Sequence, residues 1–363
     1  MKEEDMNSPK ENTFGARLML ARKMAGMSLQ DLANALQNKV TKQSLNKYEL
    51  GLMKPTGELL SLLSKELSVK PDFFLRKGIV ELGEISFRKR ADLLKKDEEA
   101  VVEKARDYVE RYLEIESILG EDQKFDNPIK LSNLQTKEEV EKAAYHLREV
   151  WELGSNPIPN LVEMLELRGI KVFLVDDVDQ FDGFATITGN GVPLVVVNVK
   201  DKSIERIRFT TIHELAHILL HFTKEVAADK RQVEILCHCF ASCFLIPSEK
   251  LKAMLGGQKR SYIAIKELIA IKEYYGISIR AILHRLAELE VITDTYYKRW
   301  VVYLSKTYGH KVEPGNYKGD EKLKVFEQLI NRALSEGIIS MSKAAALCNI
   351  NINQLRKDFI SVN

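Results

Sequence analysis

The 363-residue chain contains no apolar run of about 18 residues, the length a membrane-spanning helix needs, so a span through a bilayer is excluded. Its first residues, Met1-Lys-Glu-Glu-Asp-Met6, are acidic and polar where a secretory signal is basic and then apolar, and the expected location is the cytoplasm. Cysteine is scarce. Of the four in the chain, three cluster at Cys237, Cys239 and Cys243, which is no disulfide framework and predicts reduced thiols. Neither sign of charge predominates, with 54 Lys/Arg against 52 Asp/Glu, so net charge names no partner. What is present is 45% hydrophobic residues, enough for two or three domains that each own a core.

The basic residues are unevenly spread. Residues 1–78 hold 13 Lys/Arg against 9 Asp/Glu, with Lys39, Lys42, Lys47 and Lys54 close together. Phe14, Leu18, Leu20, Ala21 and Met24 recur at helical spacing before Gly26. A short second helix follows, capped by Ser28 with Asp31 as a capping-box partner. Thr41 caps a third, in which Leu45 and Tyr48 point inward and Lys42, Gln43, Asn46 and Lys47 outward, the amides and amines that major-groove reading requires. Ser28-Leu-Gln-Asp-Leu-Ala33 and Val40-Thr-Lys-Gln-Ser-Leu-Asn-Lys-Tyr-Glu-Leu-Gly51, ending at Lys54-Pro55, resemble the Cro/CI-type (XRE) helix-turn-helix family over about residues 12–75. The resemblance implies binding to double-stranded DNA, with Gln30 and Gln43 as phosphate and base contacts and Ser44 and Lys47 beside them.

Residues 79–130 are predicted to be a charged helical connector, of which 81–126 combine dense mixed charge with no proline, as a solvated helix would. Within it Leu94, Val101, Ala105, Tyr108, Tyr112, Ile115 and Leu119 recur at heptad spacing. That seam fits either a homodimer or a stripe packed on its own chain; two-fold operators give the dimer an independent motive.

Residues 131–258 carry the sharpest chemistry. A helix over about Thr136–Trp151 leads to strands at Lys171–Val175 and Leu194–Asn198, and a hairpin is expected between them from Asp182–Thr188 and the turn Gly189-Asn-Gly191. The fold class expected is mainly α with a small antiparallel β-sheet: a helical helix-turn-helix domain, an α+β domain and a helical carboxy-terminal region. Thr211-Ile-His-Glu-Leu-Ala-His217-Ile-Leu-Leu-His221 then contains H-E-x-x-H. His213 and His217 lie one turn apart on one helix face, so two imidazoles can converge on one Zn2+, and Glu214 at the rim of that face is placed to be the general base. His221 continues that face by a further turn, as a residue behind the ligands or in packing. In Val233-Glu-Ile-Leu-Cys-His-Cys-Phe-Ala-Ser-Cys-Phe-Leu-Ile-Pro247, Glu234, Cys237 and His238 share one helix side; Glu234 is the expected third ligand, with His238 or Cys237 as rivals one turn along. Cys239 and Cys243 fall nearly opposite.

Arg208-Phe-Thr-x-x-His-Glu-Leu-Ala-His217-x-Leu-Leu-His221, followed by Glu234-x-x-Cys-x-x-Phe-Ala241-x-x-x-Leu-Ile-Pro247, resembles the ImmA/IrrE family of metallo-endopeptidases, in which fusion to an XRE domain is a known arrangement. The resemblance implies a zinc endopeptidase with Glu234 as third ligand; it also marks a departure, because His238 stands where the family usually has asparagine. Residues 259–363 read as helices broken at Tyr275-Gly276, with a final pair, Ser342–Leu347 and Ile352–Arg356, shaped like a second helix-turn-helix. The sequence thus predicts a DNA-binding regulator whose zinc peptidase domain cleaves a repressor-like protein or itself. The alternatives are a transcription factor with a metal- or ligand-sensing domain and an antitoxin-like DNA-binding protein.

Overall fold

The structure is a computed structural model that describes residues 13–76, 78–85, 94–178, 181–309 and 312–359. Helices predominate, with one small sheet, in two compact units. None of the described helices is long and apolar enough to cross a membrane.

The first unit begins with α1 (Thr13–Met24), α2 (Leu29–Ala35), α3 (Lys42–Glu49), α4 (Gly57–Glu66) and a 3-10 turn over Pro71–Leu75. Local chemistry sets these limits. The Ser28 hydroxyl accepts from the Asp31 N–H while the Ser28 N–H donates back to the Asp31 carboxylate, the reciprocal capping box expected, and that bond holds the Asp31 carboxyl below its ordinary value. Thr41 caps α3. The Tyr-Glu-x-Gly stretch has a packing reason: Tyr48 sits edge-on to Phe14, and Glu49 takes a two-pronged bond from Arg22 at 2.6 and 2.9 Å. Leu18, Leu32, Leu45, Leu63, Phe73 and Phe74 form the core.

The same unit holds α5 (Lys95–Leu119) and α15–α17 (Val325–Ser335, Met341–Leu347, Ile352–Phe359), Val325 itself being grouped with the second unit. The heptad stripe of α5 is covered by its own chain: Tyr112 stacks on Phe326 at 5.0 Å and Tyr108 meets the same ring at 5.4 Å. The expectation of a solvated charged helix needs correction on one side. Asp107, Glu110 and Arg111 are buried, because Arg76 pairs with Asp107 at 2.8 Å, Arg17 pairs with Glu110, and Arg111 reaches both Asp107 and the Leu347 carbonyl. A charge leaves water only with such partners.

The second unit holds α6 (Lys137–Val150), α7 (Leu161–Glu166), β1 (Lys171–Val175), β2 (Gly183–Ile187), β3 (Pro193–Asn198), α8 (Ile204–Leu219), α9 (Lys224–Ala228), α10 (Lys230–Leu245), α11 (Ser248–Met254), α12 (Ile265–Tyr275), α13 (Ile279–Glu288) and α14 (Asp294–Tyr308). The β2–β3 hairpin is antiparallel, with Gly183 opposite Val197 and a turn at Gly191 closed onto Thr188. The sheet as a whole is mixed. The order is β1-β3-β2, and β1 runs parallel to β3 because β2 carries the chain back before β3 enters the middle. Buried on both faces, β3 reads as a continuous apolar run. β2 is an edge strand, and at its far end Leu82 pairs antiparallel with Thr188 while the Gly83 N–H donates to the Ile187 carbonyl. Residues 259–363 divide between the two units.

Candidate metal centre

The site is built by α8 and α10. Ser203 caps α8, whose residues Ile212, Leu215, Ala216 and Leu219 are fully buried in the main core. Arg208 fixes the helix further, donating to the carbonyls of Gly276 and Ile158 and to the buried carboxylate of Glu321. Gly276 is required there twice over: it ends α12 at φ 63°, and a Cβ would lie 2.7 Å from the Arg208 guanidinium and 2.8 Å from the Tyr317 ring. Asp229 caps α10 through bonds from the Arg231 and Gln232 N–H groups, and Ile246 leaves the helix in an extended conformation just before Pro247.

These two helices bring three predicted residues together. The Nε2 atoms of His213 and His217 are 3.3 Å apart, and the Glu234 carboxylate approaches them at 3.3 and 3.5 Å. Zinc bonds of about 2.0–2.1 Å at the tetrahedral angle set donors about 3.3–3.4 Å apart, so this triangle has the edge length of a zinc tetrahedron with one corner left over. His213 is fully buried, whereas His217 and Glu234 are 27% and 35% exposed, which opens the centre on one side. A looser grouping also exists, in which donors of His213, Glu234 and His238 lie within 4.8 Å of one another. The tighter triangle is the better fit to a single small cation. His238 is held otherwise, its ring stacked on Phe209 at 5.5 Å and tilted against His213 at 4.4 Å.

Glu214 is nearly fully buried and faces β2. At Gly183 a Cβ would stand 2.9 Å from Glu214 Cγ, 3.2 Å from its Oε1 and 2.8 Å from the Val196 carbonyl, so the strand comes this close to the carboxylate only with glycine at that position. Sequence reading passed over this residue, whose only signal was a glycine opening a strand. Cys237 lies on the metal side of α10 with its Sγ 3.6 Å from His217 Nδ1, behind the imidazole and away from the cluster of donors. Cys239 and Cys243 point elsewhere, 3.9 Å apart and against the Lys137 carbonyl of α6.

His221 requires a correction. α8 ends at Leu219, Leu220 is extended at φ −91° and ψ 130°, and the His221 carbonyl accepts from the Leu134 N–H in a short parallel bridge. The expected further turn of helix does not form, and the His221 side chain is exposed.

In the first unit, Gln30, Lys42, Gln43, Asn46 and Lys47 are exposed and Ser44 half-buried beside Thr41, so the outward face of α3 is as expected; Gln30 bonds to Asn34 on its own helix.

Comparison with known families finds a match in each of the two units. Residues 166–287 match a peptidase family model described as the IrrE N-terminal-like domain, and residues 18–74 match a helix-turn-helix model. No curated protein matches the chain. In one polypeptide, therefore, a helix-turn-helix domain of the Cro/CI (XRE) type is joined to a metallopeptidase-type domain of the ImmA/IrrE family.

Proposed function

We propose that the chain is a DNA-binding regulator, acting in the cytoplasm, whose IrrE-type domain is a zinc-dependent endopeptidase for a repressor-like protein or for its own chain. The observation that carries this reading is the His213–His217–Glu234 triangle with the Glu214 carboxylate lodged between it and the edge strand. Zinc held by those three residues supplies the acidity that activates water near neutral pH and the charge that polarises a peptide carbonyl. Glu214 takes the proton from the attacking water and returns it to the leaving amine, a role that its burial beside the metal ligands suits. The Gly183 end of the edge strand β2, beside Glu214, holds an extended peptide by main-chain pairing. His238, fixed by Phe209, is a hydrogen-bond donor for the oxyanion. On the DNA side, Gln30, Lys42, Gln43, Ser44, Asn46 and Lys47 make the contacts with the duplex.

The test is a comparison of the cell's proteins with the wild type and with Glu214→Gln expressed. One species is expected to be lost or shortened only with the wild type, and its cleavage rate in purified form to fall at least about 100-fold in the variant while metal content stays equal. Equal cleavage by both forms rejects the general base, and no cleaved species with either form favours a metal-sensing domain.

A further inference from the structure

The carboxy-terminal helices α16 and α17 repeat the DNA-reading pair α2–α3 position by position. Ser28 caps α2 and Ser340 caps α16, each accepting from the N–H three residues on. Five residues after each serine stands a buried alanine, Ala33 and Ala345. Nine residues after each serine the backbone turns left-handed, at Gln37 with φ 54° and at Asn349 with φ 53°. The next residue then donates back to that alanine's carbonyl: Asn38 to Ala33 at 2.9 Å and Ile350 to Ala345 at 3.1 Å. Such a sequence of bonds stops a helix and redirects the chain.

The two pairs differ in the residue three beyond the cap, Asp31 against Lys343, and in the remainder of the turn, which is two residues shorter in the second. Thr41 caps α3, and Asn351 caps α17 by accepting from the Asn353 N–H at 2.9 Å. The fourth residue of each following helix, Leu45 and Leu355, is buried. Gln43, Ser44, Asn46 and Lys47 of α3 correspond to Asn353, Gln354, Arg356 and Lys357 of α17, all four of which are exposed. These four are two cations and two amides capable of base-edge bonds.

The second pair is also firmly placed. Lys343 bonds to Glu114 of α5 and lies 3.6 Å from Asp72 in the 3-10 turn that follows the first helix-turn-helix, and the Arg111 guanidinium holds the last carbonyl of α16. Both pairs therefore belong to one compact unit. We propose that α16–α17 is a second site for double-stranded DNA, with Asn353 and Gln354 toward the bases and Arg356 and Lys357 on the phosphates. A single chain then presents two reading helices, which two-fold operators otherwise give a dimer a motive to supply. This inference rests on the DNA reading of the first helix-turn-helix.

The experiment uses the full-length protein and a duplex of about 40 base pairs taken from the DNA upstream of its own coding sequence, long enough for two successive grooves. Binding is measured as salt is raised from about 50 to 200 mM. The Arg356→Ala/Lys357→Ala pair is expected to flatten the slope of log K against log salt by nearly 2, about 0.9 for each phosphate no longer neutralised, with the conservative Arg356→Lys/Lys357→Arg pair close to the wild type. Lys42→Ala/Lys47→Ala in α3 provides the reference loss. A slope that falls for the α3 variant but not for the α17 variant overturns the second site and leaves that surface to a protein partner. If neither variant changes the slope, DNA binding fails for the chain and this proposal with it.

Discussion

At the scale of single residues, the open choice is between Glu234 and His238 as third ligand. Both lie near His213, and the Glu234 carboxylate approaches the Nε2 atoms of His213 and His217 at the tetrahedral spacing. Truncating a true ligand removes a bond to the ion, whereas truncating a neighbour typically costs 10–100-fold in affinity. Metal analysis of the purified variants should therefore find Glu234→Ala nearly metal-free and His238→Ala still loaded when zinc is supplied in excess. Near-full zinc in Glu234→Ala would reject the assignment. Much of this centre was legible, because H-E-x-x-H fixes two imidazoles and a carboxylate by helix geometry alone. Glu234 was the expected third ligand, but helix geometry alone did not set aside Cys237 and His238. They share one side of α10, and only packing against α8 shows that Cys237 stands behind the His217 ring.

Among the elements, the β2–α8 contact is the tightest constraint on the proposed chemistry. A methyl group at Gly183 meets a main-chain carbonyl at 2.8 Å and the stem of Glu214 at 2.9 Å, and the carbonyl belongs to the central strand, which cannot easily yield. Overpacking of this kind typically costs about 1–3 kcal/mol. Gly183→Ala should lower the melting temperature and, by displacing Glu214, reduce cleavage more than metal content. A variant that melts and cleaves like the wild type would show that the strand has room to move away. Helix limits were read well from sequence at Ser28, Thr41 and Thr136, where a capping side chain sets them. They were misread at His221, where the apolar periodicity runs on but the backbone is drawn into a bridge with Leu134. The direction of β1 was equally hidden, since alternation of side chains does not say which neighbour a strand will choose.

For the whole molecule, the division into two units makes a statement about stability. α15–α17 join the first unit through contacts such as Phe326 on Tyr112, more than 200 residues away in sequence, and no local pattern announces such a pairing. The three residues proposed to hold the metal, by contrast, all belong to the second unit, where they bring α8 and α10 together. A bound ion stabilises only what it binds, by RT ln(1 + [L]/Kd), or about 2.7 kcal/mol at 100 times Kd. Trp151 and Trp300, the only tryptophans in the chain, are both in the second unit, so their fluorescence reports on it alone. Removing metal with a chelator should therefore lower the fluorescence-detected melting temperature, while the helical signal at far-ultraviolet wavelengths splits into a shifted and an unshifted transition. Glu234→Ala should melt at the lower temperature with or without chelator, because it has no ion to lose. An equal shift of both transitions would mean that the units unfold as one, and no shift of the tryptophan signal would mean that the triangle of donors does not hold a metal.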